Sequence, residues 1–224
     1  MAKLIFNYAA MNSGKSIDLI RTVYNYEENG FKVIVMKPGI DTKGEDYVQT
    51  RIGLERKVDF LIGENDDVLE ILRDKLEGVS VIFIDEVQFL NEEQIDDLFV
   101  ISKVYDVPII CYGLRTNFKM EAFAGSKRLL EIAELKKMRT ICKCIDKVGA
   151  SFNARRYFNG EYITDGPQVA IDDGKQIIYE SLCDRCYIED VQKIHLNNPD
   201  KVLKKLLEKR CVKWLKKSLF FLYQ

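Results

Sequence analysis

The sequence predicts an α/β fold, a parallel sheet with helices on both faces, to which a small second lobe is appended. Three observations predict it. Short apolar runs alternate with helix-period segments over residues 1–139, and such alternation demands parallel crossovers and a sheet covered on both sides. Gly14-Lys15-Ser16 stands between the first run and the first helical segment, which is the setting of a phosphate-binding loop (P-loop). Beyond residue 139 the alternation stops. Two close cysteine pairs, Cys142/Cys144 and Cys183/Cys186, then bracket hairpin-like runs, the pattern of a zinc-ribbon-like lobe.

Taken in order, KLIFNY at 3–8 reads as the first strand. From Ser16 to about Glu28, Ile17, Ile20, Val23 and Tyr24 recur at helical spacing, and Asn29-Gly30 stops the helix. KVIVM at 32–36 is the second strand, closed by Pro38-Gly39. Residues 40–58 are polar and weakly patterned, so a long loop is expected there. A helix is expected over 66–76 and a buried strand over 79–84. Asn91 caps a helix reaching about Tyr105, with Gln94 in the capping-box position. VPIICYG at 107–113 is a further buried strand. After the boundary, Asn159-Gly160 and Asp165-Gly166-Pro167 mark turns.

This divides the chain into a P-loop domain over 1–139, a cysteine-bearing lobe over 140–192 and a basic C-terminal extension over 193–224. In the extension Pro199-Asp200 opens a helix to about residue 222, with Leu203, Leu206, Leu207, Trp214 and Leu215 on one side and lysines on the other. A solvated surface helix, docked on the body or on a neighbouring subunit, is expected.

Composition narrows the function classes. The chain has 224 residues, 47% of them apolar, and a formal net charge of −1. That content supports a buried core, and the balance of charge gives no global attraction for nucleic acid or an anionic membrane. No apolar run approaches the ~20 residues needed to span a bilayer, and MAKLIFNYAA lacks a signal peptide's apolar core. The expectation is a cytoplasmic protein with no nucleic-acid and no membrane partner.

In a phosphate loop, backbone N–H groups converge on phosphate oxygens at the positive end of the following helix. Lys15 would reach the β- and γ-phosphates and the Ser16 hydroxyl would meet Mg²⁺. The usual pattern begins with glycine where this chain has Ala9. If that position needs positive φ, a methyl costs about 1–2 kcal/mol; if it only begins the turn, alanine is tolerated. The strand at 79–84 ends in Asp85-Glu86. Ligands of open parallel sheets bind at the carboxyl ends of strands, and a carboxylate there, paired with a Gly-Lys-Ser loop, is a Walker B arrangement for Mg²⁺.

Cys142, Cys144, Cys183 and Cys186 offer four thiolates, the number that suits tetrahedral Zn²⁺. The other reading is four reduced cysteines packed as small apolar residues. A closed four-thiolate site would be structural, folding a lobe too small to fold on its core alone. Cys111 and Cys211 read as packing residues.

These motifs together resemble the type II thymidine kinases. The residues that carry the resemblance are Met11-Asn12-Ser13-Gly14-Lys15-Ser16, NYEENG (25–30), DEVQF (85–89), CYGLRTNF (111–118), FAGS (123–126), TICKC (140–144) and YESLCDRCY (179–187). They are collinear over about residues 3–190. The resemblance implies phosphorylation of thymidine at its 5′-hydroxyl by ATP-Mg²⁺. It places Ala9, Ala10, Met11, Asn12, Ser13, Gly14, Lys15, Ser16, Asp85 and Gln88 at ATP and Mg²⁺, and gives Glu86 the 5′-hydroxyl proton. Phe118, Phe123, Ile171 and Tyr179 fall in the thymidine pocket, and the four cysteines hold a structural Zn²⁺ at the base of the substrate loop. On the residues alone, Phe118 and Phe123 read as core aromatics. A homotetramer and inhibition by dTTP are implied as well. The alternative is a nucleotide-binding P-loop and zinc-ribbon protein that is catalytically degenerate or acts as a nucleic-acid-linked ATPase.

The chain departs from the family pattern at Ala9, at Asn117 where aspartate is usual, and at Ile145-Asp146 where glycine commonly follows the second cysteine. In QVAIDDGKQIIYESLC (168–183), Asp172-Asp173-Gly174 replaces a Gly-Gly pair. An altered loop there is expected to relax discrimination against deoxyuridine, since one methyl group in a pocket supplies only ~1–3 kcal/mol.

Overall fold

The computed structural model describes residues 1–40, 46–146, 148–168 and 177–194, together with 203, 204 and 207. Chain order begins β1 (Leu4–Ala9), α1 (Lys15–Glu28), β2 (Lys32–Pro38), β3 (Tyr47–Gln49), β4 (Glu55–Lys57), β5 (Phe60–Ile62) and α2 (Val68–Leu72). It continues with β6 (Val79–Ile84), a 3₁₀ turn (Val87–Phe89), α3 (Glu92–Val104), β7 (Ile109–Leu114), α4 (Ala124–Ile132) and β8 (Glu134–Lys137). The second lobe contributes β9 (Phe152–Tyr157), β10 (Tyr162–Ile163), β11 (Ile177–Leu182) and a short turn, α5 (Asp184–Cys186), running into a π turn (Tyr187–Val191).

Six strands form one sheet in the order β5-β2-β6-β7-β1-β8, every neighbouring pair parallel. Because the strands run the same way, the carboxyl ends of β1, β6 and β7 open on one edge. That edge receives the residues 9–16, Asp85-Glu86 and Leu114-Arg115.

Alternating side chains build two cores. Ile34, Met36, Ile82, Ile84 and Cys111 face one side, where α2, α3 and α4 add Leu72, Ile95, Leu98 and Leu129. Val35, Val81, Phe83 and Tyr112 face the other, where α1 adds Leu19 and Val23 and the β3–β4 hairpin adds Val48. Helices therefore cover both faces, as the alternation of runs requires. Asn91 caps α3 in a full capping box: its side chain accepts from the Gln94 N–H at 2.8 Å, and the Gln94 side chain accepts from the Asn91 N–H at 3.1 Å.

Two expectations need correction. The long loop over 40–58 contains an antiparallel hairpin, β3–β4, closed where Thr50 Oγ1 accepts from the Leu54 N–H. The helix expected over 66–76 is confined to Val68–Leu72, started by the Asp67 carboxylate on the Glu70 N–H. The second lobe has its own small core of Cys142, Ala150, Ala154, Leu182, Cys183, Tyr187 and Val191, under a three-stranded sheet in the order β10-β9-β11. The Asn159-Gly160 turn joins β9 to β10, with Gly160 at φ 92°. Of the expected C-terminal helix only Leu203, Lys204 and Leu207 are described, all helical and exposed; its remainder, Ile171 and the Asp172-Asp173-Gly174 loop lie outside the described residues. Among the described residues no helix is long and apolar enough to cross a membrane.

Candidate active site

Residues 10–14 turn sharply between β1 and α1. Asn12 (φ 60°) and Gly14 (φ 79°) occupy the left-handed region. Ala9 does not; it ends β1, extended and paired with Leu114. This decides between the two readings of its methyl, since glycine's freedom is required at Gly14 and not at position 9. Lys15 is buried at the start of α1, its Nζ donating to the Ala10 carbonyl at 3.1 Å and lying 3.5 Å from Ser13 Oγ.

Opposite the loop, Ser16 Oγ donates to Asp85 Oδ2 at 2.9 Å. The second oxygen, Asp85 Oδ1, is buried with no hydrogen-bond partner among the described residues. Burial, reinforced by the neighbouring Glu86 charge, pushes the Asp85 carboxyl up to about 7. A buried oxygen without a donor is costly, and a hard dication with oxygen preference would satisfy it. The pair Ser16 and Asp85 therefore fits Mg²⁺.

Glu86 follows in the left-handed region at φ 49°, a strained backbone for a residue with a side chain. Gln88 holds it there. Its Nε2 donates to Glu86 Oε2, and its Oε1 accepts from the Leu114 N–H at 3.0 Å. The end of β7 lies so close that a side chain on Gly113 would stand 2.6 Å from Gln88 Oε1. Gln88 is 1% exposed, so its place is beneath Glu86 and not in the open cleft.

Residues 11–17, Glu86 and Leu114 line a cleft of about 230 Å³. Its remaining wall is the β3–β4 tip, Gln49, Thr50 and Arg51. Sequence reasoning missed this wall because three-residue strands leave almost no periodicity. Phe118, Phe123 and Tyr179 do not line that cleft. Phe118 is buried with the Arg155 guanidinium 3.7 Å from its ring centroid. Phe123 is buried and meets Phe89 edge-on at 5.8 Å. Tyr179 is half-buried on β11, paired with Arg155 of β9. Asn117 is buried; its Oδ1 accepts from the Lys119 and Glu121 N–H groups, and its Nδ2 donates to Glu121 Oε2 at 3.1 Å. Aspartate could not make that last bond.

The four cysteine Sγ atoms of 142, 144, 183 and 186 lie within 4.8 Å of one another. Tetrahedral zinc with Zn–S near 2.3 Å needs S···S edges of about 3.8 Å, which the cluster fits. Without an ion the thiols compete. Burial raises Cys142, but hydrogen bonds from Cys183 and Cys144 outweigh it and hold that thiol below its ordinary value. Cys183 and Cys186 are pushed up by burial and by the neighbouring thiols. A bound dication would remove that competition by taking all four as thiolates.

The family model described as thymidine kinase matches residues 2–187. The chain belongs to the thymidine kinase family. A thymidine kinase of Enterobacteria phage T4 is 39% identical over 198 residues, covering 87% of this chain and all of that protein. Those of Mesorhizobium japonicum and Ruegeria pomeroyi are 40% and 41% identical, covering 85% and 82% of this chain and 93% and 92% of theirs.

The cysteine lobe also reaches into the site through residues to which the sequence assigned no role. Asn153 Oδ1 accepts from the Met11 N–H at 2.7 Å, Ser181 Oγ donates to the Met11 carbonyl, and Tyr187 Oη donates to the Phe118 carbonyl at 2.6 Å. Partners more than sixty positions apart leave no local pattern to read.

Proposed function

We propose that this chain transfers the γ-phosphate of ATP to the 5′-hydroxyl of thymidine, giving dTMP and ADP. The observation that carries the reading is the contact between Ser16 and Asp85 at the mouth of a P-loop, with Glu86 beside it lining the same cleft.

In this reading the N–H groups of residues 10–15 and the Lys15 ammonium bind and orient the triphosphate. Ser16 and Asp85 would hold Mg²⁺, which when bound supplies charge neutralisation at the phosphates. Glu86 accepts the proton of the 5′-hydroxyl as that oxygen bonds to the γ-phosphorus, while the bond to the β–γ bridging oxygen breaks and ADP leaves with the electron pair. General-base help of this kind is worth typically about 10²–10⁴-fold, with positioning and charge stabilisation carrying much of the rest. Gln88 fixes the Glu86 carboxylate. Phe118, Phe123, Ile171 and Tyr179 are assigned to the nucleoside side on family resemblance, and the cysteine lobe to structural Zn²⁺.

The division into 1–139, 140–192 and 193–224 belongs to this reading, supported by the separate small core of the cysteine lobe. So do a homotetrameric assembly, inhibition by dTTP and a cytoplasmic location, each carried over from the resemblance or the composition alone. The test is phosphate transfer from ATP-Mg²⁺ to thymidine, deoxyuridine and deoxycytidine. Thymidine is expected to be phosphorylated, deoxyuridine more slowly and deoxycytidine not at all. Absence of transfer to any nucleoside, from folded protein containing zinc, would overturn the reading.

A further inference from the structure

Asn153 lies on β9 of the cysteine lobe and is 3% exposed. Its two amide atoms reach two different loops of the P-loop domain. Oδ1 accepts from the Met11 N–H in the phosphate loop at 2.7 Å, and Nδ2 donates to the Thr116 carbonyl beyond β7 at 2.8 Å. The two partners, one N–H and one C=O, fix which end is oxygen and which is nitrogen. From the neighbouring strand β11 the buried Ser181 hydroxyl donates to the Met11 carbonyl. Both backbone groups of Met11, a residue lining the cleft, are therefore held by the second lobe. Thr116 in turn leads into Asn117 and Phe118, and the Phe118 carbonyl is itself held by Tyr187 Oη.

We propose that Asn153 is a positioning residue that ties the nucleotide half of the active site to the nucleoside half, with Ser181 reinforcing the nucleotide half alone. The nucleoside half of this proposal rests on reading Phe118 as part of the thymidine pocket. A primary amide suits the task because it accepts and donates at once from a single rigid plane. Aspartate keeps the acceptor and loses the donor, whereas alanine loses both. Among the described residues the Ser181 hydroxyl hydrogen-bonds only to the phosphate loop. The three side chains therefore separate the two halves chemically.

The experiment measures KM for ATP, KM for thymidine and kcat for Asn153→Asp, Asn153→Ala and Ser181→Ala, with thermal midpoint and zinc content of each variant. Loss of one buried hydrogen bond at a positioned group corresponds to about tenfold in the affinity it supports. Ser181→Ala is expected to raise KM for ATP by about tenfold and leave that for thymidine within about twofold. Asn153→Asp is expected to do the reverse, and Asn153→Ala to raise both. If a buried aspartate keeps the Asp variant from folding, the Ala variants still separate one effect from two. A purely structural residue would lower the thermal midpoint with no such split, and that result would overturn the proposal, as would unchanged KM values in folded variants containing zinc. A Phe118→Leu control keeps the two readings apart. If it raises KM for thymidine while the Asn153 variants do not, the coupling fails and the pocket stands; if it changes nothing, the pocket reading fails and takes the nucleoside half of the proposal with it.

Discussion

At the residue scale, Asp85 is where pH acts on this site. Its carboxyl is pushed up to about 7 by burial first and by the Glu86 charge second. A carboxyl raised in the folded state binds its proton more tightly there than in the unfolded chain. Its contribution to stability is present below the unfolded value near 4 and is lost as pH rises through about 7. Mg²⁺ selects the ionised form and opposes that loss. In Mg²⁺-free buffer, replacing Asp85 by Asn is expected to flatten the fall in thermal midpoint between about pH 4 and 7. Saturating Mg²⁺ is expected to stabilise wild type at pH 8 and leave the Asn variant unmoved, which a pair of melting series would check. Ala9 gives a second test. Being extended, it gains nothing from glycine; Ala9→Gly is expected to leave KM for ATP unchanged and to cost about 0.5–1 kcal/mol in chemical denaturation through backbone entropy.

At the element scale, what could be read from the sequence depended on how much apolar surface each element buries. VSVIFI was legible as β6 because five of its six residues are buried, and α3 because its capping box is a local pattern. The β3–β4 hairpin was not, since in β4 the pattern is Glu-Arg-Lys with none buried. Nor was β8, an edge strand whose four residues are all exposed. Helix α4 escaped notice because Leu129 is its one buried large apolar side chain and its first turn meets the body through backbone: a side chain on Gly125 would stand 2.5 Å from the Leu90 carbonyl oxygen and 2.9 Å from that of Val87. Gly125→Ala must push the turn carrying Gln88, and so is expected to destabilise the fold by roughly 1–3 kcal/mol and lower kcat by displacing Glu86. Denaturation and steady-state kinetics on one preparation measure both. The cysteine lobe's own core is small, seven buried residues of which Cys142 and Cys183 are two. Chelation is expected to release about one zinc per chain, melt β9–β11 and weaken ATP binding through loss of the Met11 contacts. Zinc release by a chromogenic dye, followed against binding of a non-hydrolysable ATP analogue, tests this.

At the scale of the whole molecule, parallel topology makes the site. Because β1, β6 and β7 run in one direction, the phosphate loop, Asp85-Glu86 and Leu114 meet at a single edge, and the motifs at 9–16 and 85–88 were legible because their spacing follows from that layout. The third contribution to this edge, the second lobe through Asn153 and Ser181, joins residues far apart in the chain and became visible only in the folded structure. The central claim is that this edge performs phosphoryl transfer with Glu86 as the base. Single-turnover transfer from ATP-Mg²⁺ to thymidine, run with wild type and Glu86→Gln side by side, tests it most directly. The account predicts transfer by wild type and a rate lower by about 10²–10⁴-fold in the variant with both substrates still bound. Equal rates in the two proteins, or no transfer by folded wild type containing zinc, would contradict it.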